Sequence, residues 1–237
     1  MSDSSTSETT ITLLIPTLNE LEGLQMLLPG IDRSLFDDIL VIDGGSTDGT
    51  VEFAEAEGLR VERQTRPGLA FGVFDAIMPM QTSHVIEFSP DGNCKTEHLA
   101  ELVEKLRQGY DLVTVSRYLP PAVSADDTPI TAFGNFMFTT LIRMLGKFPV
   151  TDSLGIYRGY RCDVVRAYDF EHYLAGPVLE PLVTGVCCIH GLKIAEIAGD
   201  EPARVGGASK MSVSYNGSYL LLMVIRLYLR KFLGIKL

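Results

Sequence analysis

The chain has 237 residues, 46% of them hydrophobic and 21% charged, enough for a sizeable core and too apolar for a disordered polymer. Thirty acidic against twenty basic side chains leave a net charge of -10, which excludes general nucleic-acid binding through phosphate contacts. Cys94, Cys162, Cys187 and Cys188 form no CxxC pair and join no His/Cys ladder, which argues against a disulfide framework or a structural zinc.

Residues 1–10 are polar and rich in Ser and Thr, without a basic start or an apolar stretch. They read as a disordered tail, not a secretory signal, and the chain is expected to be cytosolic with reduced thiols. Short β-branched runs then alternate with helical stretches, the pattern of a mostly parallel α/β sheet flanked by helices. Strands are predicted at 11–15, 39–42, 60–63, 84–88 and 112–116, and helices at 21–28, 50–57, 69–80 and 97–108. After Tyr118, Pro120, Pro121 and Pro129 bracket an irregular stretch; helices follow at 133–145 and 179–190, with a strand at 192–196. No linker rich in Gly, Ser or charge interrupts the pattern, so 11–213 reads as one domain. Residues 214–237 form a different segment, with Arg226, Arg230, Lys231 and Lys236 and no acid. Its longest unbroken apolar run, 219–225, falls well short of the roughly 20 residues a spanning helix needs. A basic amphipathic helix of this kind either lies in a membrane interface or packs on the core with a cationic outer stripe.

In open α/β sheets, ligands bind outside the carboxyl ends of the strands. Three polar loops fall there: Pro16-Thr17-Leu18-Asn19-Glu20, Asp43 to Gly49, and Ser89-Pro90-Asp91-Gly92-Asn93. They gather Glu20, Asp43, Asp48 and Asp91, with Glu87 nearby. No GxGxxG opens the first helix and no Walker A sequence occurs, so dinucleotide and P-loop sites fall away. Acidic loops facing a phosphate-rich ligand imply a bridging magnesium or manganese ion, and Asp91 and Asn93 both offer it hard oxygens. Turn chemistry alone would account for any one of these loops, but less readily for three in this order.

Ile15-Pro16-Thr17-Leu18-Asn19-Glu20 followed by Val41-Ile42-Asp43-Gly44-Gly45-Ser46-Thr47-Asp48-Gly49-Thr50 resembles the opening of family 2 glycosyltransferases of the GT-A fold. The nearest look is to polyprenyl-phosphate (dolichyl-phosphate) mannosyl- and glucosyltransferases. Ser116-Arg117-Tyr118, residues 150–158 and residues 204–210 extend the resemblance to about residue 212. It implies a Rossmann-like central sheet and an inverting transfer of a hexose from a UDP- or GDP-sugar to a polyprenyl phosphate. Pro16, Thr17, Asn19 and Glu20 would line the nucleotide pocket, Asp43 would contact base or ribose, and Ser46 and Asp48 would shape the wall. Arg204, Ser209 and Lys210 would hold the donor diphosphate, and Arg117 the acceptor phosphate. Asp91 would be the second acid of the DxD metal motif and Asn93 a further metal ligand. Asp91, Arg117 and Lys210 are thus the expected catalytic residues, with Mg2+ or Mn2+ as cofactor.

One departure stands out: Ser89 occupies the first position of the DxD motif, where a hydroxyl carries no charge. The ion would then be held by Asp91, Asn93 and the diphosphate; reduced metal dependence or lost catalysis are the alternatives. A phosphomonoester is largely dianionic at pH 7 and needs positioning more than a base, whereas a sugar hydroxyl normally needs a carboxylate base. In the hydroxyl-acceptor alternative that base would come from the 120–127 stretch or from Asp152, and a non-catalytic nucleotide-sugar or lipid-binding module is a third possibility. A lipid acceptor would favour the interfacial placement of 214–237, on the cytoplasmic face of a membrane. Glu180 is expected to be solvated or helix-starting, Cys187-Cys188 to be core, and the four histidines to hold no metal.

Overall fold

The computed structural model describes residues 9–146, 148–168, 170–171, 179–205 and 213–233. Of the tail expected at 1–10, residues 1–8 lie outside the described residues, as do Ser209 and Lys210, while Thr10 is bonded to Ser83. Seven strands form one sheet: β1 Ile11–Thr17, β2 Asp38–Asp43, β3 Arg60–Arg63, β4 His84–Glu87, β5 Leu112–Ser116, β6 Arg158–Arg161 and β7 Ile194–Ala198. Their order is β3-β2-β1-β4-β6-β5-β7. All pairings are parallel except those of β6, which runs antiparallel between β4 and β5.

The helices are α1 Leu21–Leu27, α2 Thr50–Ala56, α3 Leu69–Ile77, α4 Leu99–Arg107, α5 Pro129–Arg143, α6 Cys162–Arg166, α7 Leu179–His190 and α8 Val213–Leu233. Side chains on alternate positions of the strands feed two cores, as the two-residue period of a strand requires. Leu13 and Ile15 of β1 join Leu24, Leu102 and Leu106 on one face. Leu14 joins Val73, Ile142, Val183 and Leu227 on the other. Strands covered on both faces read as near-continuous apolar runs, which is why β1, β2, β4 and β5 were legible.

Two elements escape sequence patterning. β6 reads Arg-Gly-Tyr-Arg, with no apolar alternation, yet Arg158, Gly159 and Tyr160 are buried. Gly159 is required by space: a Cβ there would lie 2.8 Å from Leu106 and 2.9 Å from Ile86. α6 follows at once and is too short to show a helical period. α5 begins at Pro129, four residues before the expected start, because Thr128 and Thr131 cap each other and proline suits the first helical turn. β7 lies two residues later than expected, at 194–198.

α8 packs Leu220, Met223, Val224 and Leu227 into the same core as α5 and α7. The Tyr228 hydroxyl donates to the Leu141 carbonyl (2.8 Å) and Lys231 Nζ to the Leu145 carbonyl (2.6 Å). Among the described residues no helix is long and apolar enough to cross a membrane. The four cysteines are buried and unpaired, as their apolar settings imply.

At Gly23 the backbone of α1 passes directly against Pro90, and a Cβ would overlap the Pro90 carbonyl oxygen. Gly23→Ala is therefore expected to cost about 2 kcal/mol by overpacking. Urea denaturation of the variant checks this; unchanged stability would mean that the helix and the 89–93 loop are not in close contact.

Candidate active site

The carboxyl ends of β1, β2 and β4 lie side by side, because Thr17 pairs with Asp43 across β1 and β2 while Leu14 pairs with Glu87 across β1 and β4. The first two loops are tied together residue by residue. Asn19 stands at φ 58°, the one non-glycine with positive φ among the described residues, a conformation asparagine tolerates better than most. Its N–H donates to Ser46 Oγ (2.8 Å) and its side-chain oxygen accepts from Thr47 N–H (2.8 Å). The Glu20 N–H donates to Thr50 Oγ1 and the Leu21 N–H to Asp48 Oδ2. Asp43, buried at the end of β2, accepts from the N–H groups of Gly45 and Ser46 and from the Thr17 hydroxyl. Burial acts to raise its pKa, but the bonds from Ser46, Gly45 and Thr17 prevail and hold it below the usual carboxylate range. Asp48 is lowered in the same way: desolvation is outweighed by bonds from Thr50 and Leu21. Asn19, Ser46 and Asp48 therefore brace the loops, and Asp43 is an ionised acceptor at the floor.

The third loop carries Asp91 and Asn93. Asp91 Oδ1 accepts the Asn93 N–H (3.2 Å) and Oδ2 pairs with Arg204 Nη1 at 3.0 Å. The Val205 N–H also bonds the Asp91 carbonyl (2.8 Å). Asp126, within the 120–127 stretch weighed above only as a source of a base, completes the cluster: its Oδ2 accepts from Asn93 Nδ2 (3.1 Å) and from Arg204 Nε (3.3 Å). The buried oxygen of Asn93, Oδ1, has no hydrogen-bond partner among the described residues. A buried acceptor without a donor is costly, and a cation is one way to satisfy it. Asp91, this orphan oxygen and the neighbouring Asp126 make a hard-oxygen set that fits magnesium or manganese, even with Ser89 in place of an acid. Arg204 already lies across the two carboxylates.

Arg117 is a paired cation. Its Nε and Nη2 form a fork on Asp152, at 2.7 and 3.1 Å, and its Nη1 meets Glu201 at 3.2 Å. Asp152 has no solvent-exposed surface, and the Arg117 side chain is 21% exposed. Burial would raise the Asp152 pKa, but the Arg117 charge and hydrogen bonds hold it below its ordinary value. Glu196 caps the same loop, accepting from the N–H groups of Thr151 and Asp152 and from the Thr151 hydroxyl. The segment after β7 joins the two halves of the edge, since Glu201 reaches Arg117 while Arg204 reaches Asp91.

Glu87 and Glu180, by contrast, lie beneath the edge. Glu180 stands in the first turn of α7, the helix-starting place expected for it, but it is buried rather than solvated. Glu87 is fully buried and accepts from the Tyr160 hydroxyl. Arg158, also without access to water, donates to the carbonyls of Ser153, Gly155 and Glu180 and to Thr184 Oγ1. Two carboxylates and one guanidinium share this space, so one proton makes it neutral. Desolvation, then the Glu180 charge, pushes the Glu87 pKa up to about 8 against the bonds from Tyr160 and the Arg158 charge.

Glu87 thus keeps its proton in the folded chain at neutral pH, while the unfolded chain releases it near 4.5. The folded state binds more protons, so this contribution to stability is complete below about pH 4.5 and is lost as pH rises to about 8. Glu87→Gln, which keeps the uncharged shape, is expected to flatten the decline of unfolding free energy across that window. Urea titrations at stepped pH measure it, and equal slopes in both proteins would place the proton elsewhere.

The family model for glycosyl transferase family 2 matches residues 12–169. An uncharacterized glycosyltransferase of Mycobacterium tuberculosis (strain H37Rv) is 29% identical over 213 residues, covering 90% of this chain and 94% of its own. The polyprenol monophosphomannose synthase of Mycolicibacterium smegmatis is 27% identical over 214 residues, 85% of this chain and 81% of its own. Among solved structures, Mycobacterium tuberculosis glucosyl-3-phosphoglycerate synthase, in complex with Mn2+, UDP-glucose and phosphoglyceric acid, superposes with a TM-score of 0.70. It is 20% identical, with 94% of this chain and 79% of that one aligned, a likeness of fold. The mixed sheet with its loop-built edge is accordingly a GT-A-type fold, and the match across 12–169 makes the chain a member of glycosyl transferase family 2, a glycosyltransferase.

Proposed function

We propose that the enzyme transfers a hexose from a nucleoside-diphosphate sugar to a polyprenyl phosphate, working peripherally at the cytoplasmic face of a membrane with α8 in the interface. The observation that carries this reading is the state of the carboxylates around Arg117. Asp152 is consumed by the Arg117 fork and by the N–H groups of Leu154 and Gly155, Glu196 by Thr151 and Asp152, and Glu201 by Arg117 and Ser124. In the 120–127 stretch, Asp126 is taken by Asn93 and Arg204, and Asp127 by Tyr118 and Thr131. A hydroxyl acceptor needs a carboxylate able to take its proton; a phosphate dianion does not. The kinship with a polyprenol monophosphomannose synthase over most of both chains points the same way.

In this reading Asp43 and the braced 16–20 and 43–49 loops hold the nucleoside, their geometry set before the donor arrives. Arg204, kept on Asp126, would offer its charge to the donor diphosphate, with Ser209 and Lys210 as further contacts. Asp91 and Asn93 would hold a divalent ion, which would supply positive charge to the departing diphosphate. Arg117, held by both Asp152 and Glu201, turns its charge to the acceptor phosphate and aligns it with the anomeric carbon. Planar, preorganised donors of this kind suit bidentate phosphate contact.

The test is a panel of UDP- and GDP-hexoses with Mg2+ or Mn2+, with and without a short polyprenyl phosphate. Lipid-dependent release of nucleoside diphosphate, with the hexose recovered on the lipid, is the expected result. Asp91→Asn should lower kcat by about 100-fold or more, and kcat/KM should fall below about pH 6, where the acceptor phosphate gains a proton. Turnover on sugar hydroxyls or on a small soluble phosphorylated acid, and none on the lipid, would reject the acceptor assignment.

A further inference from the structure

α5 and α8 lie against each other through Tyr228 and Leu141 and through Lys231 and Leu145, and each leaves an apolar face outside the fold. On α5, Ile130, Phe133, Phe136 and Met137 are exposed, the two phenylalanines at 65% and 66%. On α8, Leu222, Ile225, Leu229 and Phe232 are exposed, the last at 76%. Single exposed apolar residues are ordinary, but two adjacent helices with this many large ones mark an interaction surface.

Charge identifies the occupant. Neither helix contains an acidic residue, although the chain as a whole carries -10, while Arg143, Arg226, Arg230 and Lys231 fall within them. A second copy of this chain would set these cations against their own images, with no acid on either helix to answer them. An anionic bilayer supplies both the apolar phase and the negative charge. The placement of α5 adds direction. Its start is tied to the active edge by Asp127 with Tyr118 and by Asp126 with Arg204, and Ile130 follows three residues after Asp127.

We propose that α5 and α8 form one membrane-docking surface for an anionic lipid bilayer, with α5 holding the mouth of the active edge against the lipid. The inference rests on the reading of a membrane-borne acceptor, and it adds a second helix to the interface, one within the catalytic fold. An acceptor phosphate could then reach the edge with its chain still in the bilayer.

The full chain is sedimented with phosphatidylcholine–phosphatidylglycerol vesicles and with pure phosphatidylcholine vesicles. Binding is expected to depend on the anionic lipid and to weaken about tenfold or more in Phe133→Ser/Phe136→Ser and equally in Leu229→Ser/Phe232→Ser. Met26→Ser, a substitution on exposed α1, should bind like the wild type, and thermal melts should show all variants folded. Wild-type binding by the α5 variant, or no vesicle binding by the wild type, overturns the proposal. So does a dimer in solution that the α5 variant dissociates, which would assign the face to a second copy. Nucleoside diphosphate release with a short, detergent-dispersed polyprenyl phosphate separates the two ideas. The α5 variant should retain that turnover; vesicle binding without any lipid-phosphate turnover would reject the acceptor while keeping the surface.

Discussion

A guanidinium sealed from water governs the centre of this molecule. Arg158 stands on the one antiparallel strand, and its donors end on the carbonyls of Ser153, Gly155 and Glu180 and on Thr184. A buried charge is tolerated only when its donors are satisfied and its charge is answered. Here the answer comes from Glu87 and Glu180, which keep one negative charge and one proton between them. The same bonds pin the 152–157 turn to the start of α7, and that turn carries Asp152. Asp152 in turn holds the Arg117 fork. Removing one partner from such a buried pair typically costs about 3 to 5 kcal/mol, so the edge where chemistry is expected is built on a chain of paired charges.

That chain explains how so acidic a protein keeps oriented cations at the edge. Each arginine at the edge is stored against carboxylates: Arg117 on Asp152 and Glu201, Arg204 on Asp91 and Asp126. Stored this way, the positive charge is oriented before ligands arrive, a condition that favours electrostatic stabilisation. The opposite treatment is given to α5 and α8, where acids are absent altogether and the cations accompany an apolar face. Arginines thus occur in two settings: beside carboxylates at the edge, and on helices that carry exposed phenylalanine and leucine.

The side of the edge built from the 16–20 and 43–49 loops relies on hydrogen bonds from backbone N–H groups instead. Asn19 and Ser46, Thr47 and Asn19, Glu20 and Thr50, Leu21 and Asp48 lock two loops from different strands into one body. Fixing both loops in advance spares the donor part of the ordering cost on binding.

The sequence by itself determined the sheet-forming strands β1 to β5, the helices between them and the loops at their carboxyl ends. Strands buried on both faces must be apolar throughout, and turns must be built from Gly, Asp, Asn and Ser. It also determined the family, because the 15–20 and 41–50 segments encode loop geometry locally. β6 was hidden because its burial depends on long-range partners: Gly159 makes room for Leu106 and Ile86, and Arg158 is matched by distant carbonyls. The roles of Asp126, Asp152 and Glu201 were equally closed, since a carboxylate within a loop looks the same whether it faces water or an arginine up to 84 residues away. The fold alone settles that Glu180 is buried, that Arg117 is already paired, and that α5 and α8 each leave large apolar side chains exposed. Each depends on which groups the fold brings within a few ångströms, and no periodicity in the chain records that.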